Sequence, residues 1–175
     1  MAAIGGYPLD PQQESEWCWA AVAQSVARYV DPQSKITQCA IANKVAAKKG
    51  ASKNKPNCCT TADSSTCNCP QKLTDALDTL GEKTVSPLRI INRPLSFQEL
   101  KQELDAELPV CIRIAWEGGG AHFVVITGYG RLTSGAQHVD VADPLYPDCT
   151  IDYEELRNAY HGDGQWTHSY LLKGY

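Results

Sequence analysis

The sequence lacks a hydrophobic run long enough to cross a bilayer, because its longest apolar stretch covers only residues 123–127 and a spanning helix needs about 20 residues. It also lacks an excess of basic residues, since 16 Lys and Arg stand against 20 Asp and Glu and the net charge is −4. That balance offers no positive surface to a phosphate backbone or an anionic membrane. The opening residues, MAAIGGYPLD, do not follow the charged and then apolar pattern of a signal peptide. We therefore expect a soluble chain that inserts into no membrane and binds no nucleic acid.

Cysteine, by contrast, is abundant, with 8 in a chain of 175 residues. Such a density is typical of oxidising compartments, in which disulfides form and persist. We therefore expect the protein to be secreted, or delivered outside the cell that makes it. The length suits one domain with a single substantial core, which we expect residues 1–175 to form.

The number of cysteines limits how they can pair. If Cys18 must be a free thiol in order to react, an odd number remains and one more cysteine is left out of intrachain bridges. We expect that one to be Cys111, a buried and inert thiol within the apolar run PVCIRIAW. Up to three bridges, in 15 possible pairings that the sequence does not resolve, are then open to Cys39, Cys58, Cys59, Cys67, Cys69 and Cys149.

The first half of the chain has helical periodicity. An apolar stripe predicts a helix over residues 15–30, with Ser15 as its N-cap and Asp31-Pro32 as its stop. The polar segment at about residues 50–70 contains four cysteines and is interpreted as a cross-linked insertion. Further helices are predicted over residues 37–47, 73–80 and 153–160, and from the capping-box pattern at Ser96–Glu99.

The second half changes to β-type runs that are separated by glycine-containing turns. These runs cover residues 110–116, 121–129, 137–142 and 165–174, and their turns are typical of antiparallel hairpins. Helices followed by a sheet indicate an α+β fold.

Cys18 stands between Trp17 and Trp19, in the first turn of the first predicted helix. Three roles are open to it: a packing residue, half of a disulfide, or a nucleophile. A helix N-terminus stabilises a thiolate, which is the form of cysteine that attacks a substrate. A small apolar residue packed at the margin of the core would suit the same position.

A reactive thiol needs a proton acceptor, and the sequence has 4 histidines. His122 opens an apolar strand directly after EGGGA, where glycines would let a second chain approach closely, although a simple hairpin turn explains those glycines equally well. The others have simpler interpretations: His138 at the surface near a loop, His161 in the solvated turn HGDG, and His168 packed in the last strand.

Asp143 could orient such a histidine. Strand alternation places it on one face with Val139 and Val141, and therefore inward if the valines face the core. A buried carboxylate needs a partner, and His122 on a neighbouring strand could supply one. The alternative is that Asp143 caps the turn DPLYPD.

These residues together resemble the papain-like cysteine peptidases. The resemblance consists of Gln12 six residues before the Cys18-Trp19 pair, the glycine-preceded His122, and the V-x-D-P sequence at 141–144. WCWAA and the DP ending are most similar to compact bacterial members, namely avirulence-type effector proteases of plant pathogens, staphopains and the leader peptidases of bacteriocin exporters. Aspartate stands at 143 where papain has asparagine, and the cysteine-rich insertion is not part of the core pattern.

The resemblance implies a papain-like fold, with a helical lobe over about residues 10–108, a β-sheet lobe over about 109–175 and the active site in the groove between them. Cys18 would be the nucleophile, His122 the general base and later acid, and Asp143 the orienting residue. The side-chain amide of Gln12 and the backbone N–H of Cys18 would stabilise the oxyanion. The groove residues would be Trp17, Gly120 and Ala121.

The corresponding activity is cleavage of protein or peptide substrates through a thioester, with no cofactor and no metal. We expect a monomer that could have a cognate inhibitor or immunity protein. We also expect Glu14 and Glu16, which flank the nucleophile, to face water.

Two alternatives remain open at this point. Deamidases and transglutaminase-like acyl transferases use the same triad on other substrates. A protein without enzymatic activity could instead bind zinc through Cys58, Cys59, Cys67 and Cys69, although CC and CxC do not have the usual CxxC spacing.

Overall fold

A computed structural model describes residues 2–48, 57–81 and 89–172. The chain divides into two compact units: Pro8–Ser86, and Met1–Tyr7 together with Pro87–Tyr175. Residues 49–56 of the cysteine-rich segment, and the last residues of the strand predicted to reach 174, lie outside the described ranges. Within those ranges, no helix has the length and apolar character needed to span a membrane.

The unit formed by Pro8–Ser86 is helical. Helix α1 spans Cys18–Val30, α2 spans Gln38–Lys48 and α3 spans Leu73–Leu77, followed by a 3-10 turn at Asp78–Leu80. Helix α1 is buried along almost its whole length, because small alanines alternate with larger apolar residues and let α2 and α3 pack closely against it. The fully buried side chains include Trp17, Trp19, Ile41, Leu73 and Leu77.

The start of α1 differs from the prediction. The helix begins at Cys18 with Trp17 as its N-cap residue, and no side chain caps it. Ser15 is therefore not the N-cap; its hydroxyl oxygen instead accepts a hydrogen bond from the Asn68 amide at 3.0 Å. A local capping pattern could not reveal this, because the partner lies 53 residues further along the chain.

Two disulfides cross-link the cysteine-rich segment. Cys39 in α2 is bonded to Cys59, and Cys58 is bonded to Cys67. The interpretation of a cross-linked insertion is thus confirmed; Cys69 and Cys149 are free thiols, so the six candidates form two of the up to three bridges that were open to them. Asn43 also holds the segment, because its side-chain oxygen accepts the backbone N–H of Cys58 at 2.7 Å.

The second unit is built on an antiparallel sheet. Its longer strands are β3 (Val110–Trp116), β4 (Ala121–Arg131), β5 (Gln137–Ala142) and β7 (Gly164–Leu171), and the shorter ones are β1 (Ala2–Ala3), β2 (Arg89–Ile91) and β6 (Cys149–Asp152). The order in the sheet is β2-β7-β3-β4-β5-β6, and β1 pairs with β4. Together with the helices, this sheet confirms the α+β class.

Two helices, α4 (Phe97–Asp105) and α5 (Tyr153–Asn158), belong to the sheet unit. Leu100 and Leu104 of α4 lie in one core cluster with Ile112, Val124 and other residues of the central strands. Ser96 caps α4 in the predicted capping box with Glu99. The boundary between the units therefore lies near residue 86 and not at 108, because the fourth helix packs on the sheet.

The bounds of β3 and β5 agree with the predicted ones, and β4 runs two residues further. The sequence pattern missed β1, β2 and β6, which are too short to show a period and depend on longer neighbours for their hydrogen bonds. Strand β7 begins at Gly164, and α5 ends at Asn158 rather than at Tyr160.

Candidate active site

Cys18 is the first residue of α1 and is a free thiol with 7% of its surface exposed. An α-helix leaves the backbone N–H groups of its very first residues without an acceptor inside the helix, and Cys18 lies at this end. The backbone N–H groups of Ala20 and Ala21 are bonded to the carbonyl of Trp17, which fixes this first turn. The structure thus removes one of the three roles that the sequence left open, because Cys18 is not half of a disulfide.

Both tryptophans beside Cys18 are buried, each with 1% exposure. The indole N–H of Trp17 donates to the backbone carbonyl of Cys67 at 2.8 Å, and that of Trp19 donates to the carbonyl of Cys69 at 3.1 Å. Trp17 was expected to line a substrate groove; this is corrected, because a side chain so fully enclosed offers no surface to a substrate. Trp19 is a core residue, as expected.

Residues 67–69 therefore form a brace along the start of α1, which we name the CNC brace. Besides the two carbonyls, it supplies the Asn68 side chain, whose oxygen accepts the backbone N–H of Glu16 at 2.9 Å. The Cys58–Cys67 bridge holds one end of the brace. Glu16 is exposed as expected, whereas Glu14 is half-buried.

Gln12 lies in the loop before α1 and is half-buried. Its amide nitrogen donates to the backbone carbonyls of Glu14 at 2.9 Å and Ser15 at 2.7 Å. These two bonds use both amide protons, so donation to a bound oxyanion would require the side chain to release one of them. Gln13 contributes only its backbone N–H, to the side chain of Gln38.

His122 and Asp143 are in direct contact, which is one of the two interpretations of Asp143 that the sequence left open. The Nε2 atom of His122 and the Oδ1 atom of Asp143 are 2.8 Å apart, and the two residues are 4% and 6% exposed. His122 is the second residue of β4, and Asp143 directly follows β5, which pairs with β4. Since a carboxylate can only accept, Nε2 carries the proton in this pair.

The Asp143 carboxylate also caps the following turn, so both interpretations of this residue apply. Its Oδ1 atom accepts the backbone N–H of Leu145 at 2.7 Å and of Tyr146 at 3.0 Å, and its Oδ2 atom accepts the Tyr160 hydroxyl at 2.7 Å. Burial tends to raise the pKa of Asp143, but the hydrogen bond and charge of His122 and the two backbone N–H groups outweigh it and lower the pKa. The carboxylate is therefore ionised at neutral pH.

The glycines before His122 form a hairpin turn between β3 and β4. Gly119 and Gly120 have φ angles of 95° and 85°, and the Trp116 N–H donates to the Gly120 carbonyl. Gly120 is exposed and Ala121 is half-buried. The Trp116 ring stacks on the His122 ring with centroids 6.3 Å apart, so one side of the imidazole is covered by an aromatic face.

The other histidines are placed as follows. His168 is packed on β7, where its ring stacks on Tyr170, and burial and then the Arg113 charge lower its pKa. His161 is exposed as expected, but its ring also contacts those of Tyr146 and Tyr160. His138 is half-buried rather than at the surface, and its Nδ1 atom has no hydrogen-bond partner among the described residues.

Cys111 is buried and free, as expected, and burial raises the pKa of its thiol to about 12. It is therefore a neutral packing residue.

The disulfides argue against the zinc-binding alternative, because three of the four proposed zinc ligands, Cys58, Cys59 and Cys67, are bonded to other sulfurs. Sulfur in a disulfide is not available as a thiolate ligand.

The two disulfides leave a number of free thiols that can be measured. Alkylation of the unfolded protein without reductant should label four cysteines, namely Cys18, Cys69, Cys111 and Cys149, whereas all 8 should be labelled after reduction. Mass spectrometry of the intact chain gives both numbers. In a Cys69→Ala variant the first count should fall to three. If it rose to five, Cys69 would have a disulfide partner whose thiol the substitution sets free, and eight labels without reductant in the wild type would rule out both bridges.

Cysteine hydrolases use a thiol and a histidine that a carboxylate orients. The chain has a free thiol at the first position of a buried helix, and a buried histidine bonded to an ionised carboxylate. Residues 6–148 match the family described as papain-like cysteine protease AvrRpt2. The chain belongs to this family and is a papain-like cysteine peptidase. Its substrates are accordingly proteins or peptides. No curated protein matches the chain.

Proposed function

We propose that the peptidase cleaves internal peptide bonds through a Cys18–His122–Asp143 triad, in a groove between a helical and a sheet lobe of one papain-like domain. The observation that carries the proposal is the buried hydrogen bond between His122 and Asp143, at 2.8 Å. Such a pair has the arrangement of an oriented general base, and Cys18 is, among the described residues, the one buried free thiol that begins a helix.

The hydrogen bond to Asp143 determines which nitrogen of His122 is available to exchange a proton with Cys18 and the substrate. Because Nε2 is bonded to the carboxylate, Nδ1 is the atom that takes the proton of the Cys18 thiol. The thiolate then attacks the carbonyl carbon of the substrate, and the imidazolium donates its proton to the departing amine, leaving a thioester. Water adds to the thioester while His122 takes up a proton, and the acid product and the free Cys18 are released.

The negative charge on the carbonyl oxygen needs donors in the transition state. We assign this role to the backbone N–H of Cys18 and the amide of Gln12. To donate to the oxyanion, the Gln12 amide must give up its hydrogen bond to the backbone carbonyl of Ser15. That hydrogen bond is exposed to solvent. Gly120 and Ala121 are assigned to the groove, because the positive φ of Gly120 and the absence of a side chain leave room beside His122.

The sequence alternative of an acyl transferase or deamidase differs from this proposal in its products. We test it by incubating the protein with unfolded casein and measuring fragments by mass spectrometry and ammonia with a coupled assay. New peptide termini without ammonia support the endopeptidase. Ammonia without fragments would instead support a deamidase, and cross-linked casein would support an acyl transferase; either result would contradict the endopeptidase.

We also propose that the peptidase works outside the cell that makes it, as an effector or toxin-like protease. Its two disulfides support this proposal, because they form in oxidising compartments. The family also supports it, because it is described by the protease AvrRpt2, and the sequence resembles avirulence-type effector proteases. A monomer, with a cognate inhibitor or immunity protein, is the assembly state that we propose with it.

A further inference from the structure

The Asp143 carboxylate is held at both of its oxygens. Oδ1 accepts the His122 Nε2–H and the backbone N–H groups of Leu145 and Tyr146, whereas Oδ2 accepts the hydroxyl of Tyr160 at 2.7 Å. Tyr160 was not among the residues that the sequence singled out. It lies 17 residues from Asp143 and beyond the end of α5, so no local pattern connects the two.

The position of the Tyr160 ring is fixed from several sides. Tyr160 is 0% exposed, and its backbone forms a two-way bridge with Gly164, with N–H to carbonyl distances of 2.8 and 2.9 Å. Its ring stacks against Trp116 with centroids 6.4 Å apart. A Cβ at Gly164 would lie 2.8 Å from the Tyr160 carbonyl oxygen and 2.7 Å from the Trp116 ring, so glycine is required for this packing. The contacts with Gly164 and Trp116 therefore hold the ring in the position from which its hydroxyl donates to Asp143.

The direction of the hydrogen bond follows from charge. The pKa of Tyr160 is raised by burial and by the neighbouring Asp143 carboxylate, so its hydroxyl keeps its proton and donates. The thiol of Cys149 lies against the same hydroxyl, and burial together with Asp143 and Asp148 raises its pKa. Cys149 therefore stays neutral, and it does not compete with the Asp143 carboxylate for the proton of the Tyr160 hydroxyl.

A carboxylate turns easily about its last side-chain bond, because that torsion is broad. The backbone N–H groups and His122 share one oxygen, so they leave the rotation of the group to be set by its second oxygen. We propose that Tyr160 is a positioning residue, whose hydroxyl fixes the rotation of the Asp143 carboxylate and so aims Oδ1 at Nε2 of His122. The inference rests on the proposed triad, and it adds a fourth member that acts through Asp143.

The first test compares Tyr160→Phe with Tyr153→Phe. Tyr153 is a matched control, because it is also buried in the sheet unit but donates its hydroxyl to the backbone carbonyl of Leu95. We expect Tyr160→Phe to lower kcat about tenfold with KM unchanged, the size expected for one buried charge-assisted hydrogen bond. Tyr153→Phe should keep the wild-type kcat even where it lowers Tm. Equal kcat losses in the two variants would overturn the proposal.

A double-mutant cycle tests whether Tyr160 acts through Asp143. In an Asp143→Ala background the Tyr160→Phe change should have no further effect on kcat, because the group it positions is gone. A second tenfold loss in that background would show a role that does not involve Asp143, and would also overturn the proposal.

A third measurement does not depend on peptidase activity. The Nε2 proton of His122 should give a downfield proton NMR resonance, assigned by its loss in His122→Ala. We expect this resonance to shift upfield and exchange faster with water in Tyr160→Phe, and to stay in place in Tyr153→Phe. If the wild type showed no Cys18-dependent cleavage, the proposed function would fail, yet this resonance would still decide on Tyr160: an unchanged signal overturns its positioning role.

Discussion

Replacing Cys18 by alanine should abolish cleavage of unfolded casein, with kcat falling by at least about 10⁴-fold, because the atom that forms the thioester is removed. The fold should survive. Cys18 occupies the first position of α1, where alanine is a good helix former, and the CNC brace contacts its neighbours through backbone carbonyls that the change does not touch. Peptide release measured by fluorescence and Tm measured by calorimetry check the two halves of this expectation.

Cys111→Ala is the matched control, since Cys111 is also a buried free thiol and the proposed reaction does not use it. Its loss leaves a small cavity in β3, so we expect a lower Tm and an unchanged kcat. Iodoacetamide added to the folded wild type should stop cleavage and label Cys18 before Cys111. Cleavage by Cys18→Ala at the wild-type rate would rule out Cys18 as the nucleophile and with it the proposed triad.

The sequence predicted those parts of the molecule that local periodicity determines. Strands β3 and β5 are long enough to show their alternation, and this alternation placed Asp143 inward beside Val139 and Val141. The cost of burying an unpaired carboxylate then made His122 one candidate partner, beside the alternative that Asp143 caps the turn. Local rules sufficed here because β4, which carries His122, and β5, which Asp143 directly follows, are neighbours in the sheet.

Partners that lie far away in the sequence could not be predicted in this way. Trp17 was expected in the substrate groove, but its indole N–H donates to the carbonyl of Cys67, 50 residues later, and its side chain is buried. Ser15 likewise does not cap α1, because its hydroxyl is bonded to Asn68, 53 residues later in the chain. The pairing of the cysteines is also a property of the folded chain, and spacing alone allowed the six candidates to pair in 15 ways.

The CNC brace shows how the unusual insertion serves the proposed site. A papain-like nucleophile helix must begin at a fixed place, because its first-turn N–H groups and its thiol act on the same carbonyl. Here no side chain caps the helix. Asn68 and Cys67 bind Glu16 and Trp17 just before it, and Cys69 binds the Trp19 side chain in its first turn. The Cys58–Cys67 bridge therefore stabilises the start of α1, in addition to the insertion itself.

Replacing His122 by alanine should be nearly as severe as replacing Cys18, because the thiol loses its proton acceptor and the departing amine loses its proton donor. Asp143→Ala should retain about 10- to 100-fold more activity than His122→Ala, since it removes orientation but leaves the reacting imidazole. His138→Ala is the matched control, because His138 lies on the neighbouring strand β5 and makes no contact with Asp143 among the described hydrogen bonds. It should cleave at the wild-type rate.

Two measurements separate loss of chemistry from loss of structure in His122→Ala. Free imidazole should restore part of its activity, because a small base can occupy the vacated space, and it should restore none in Cys18→Ala. The Cys18→Ala/His122→Ala double variant should be no slower than either single variant, because the two residues act as a unit. Rate losses that multiply in the double variant would mean that Cys18 and His122 act independently, and the triad would have to be abandoned.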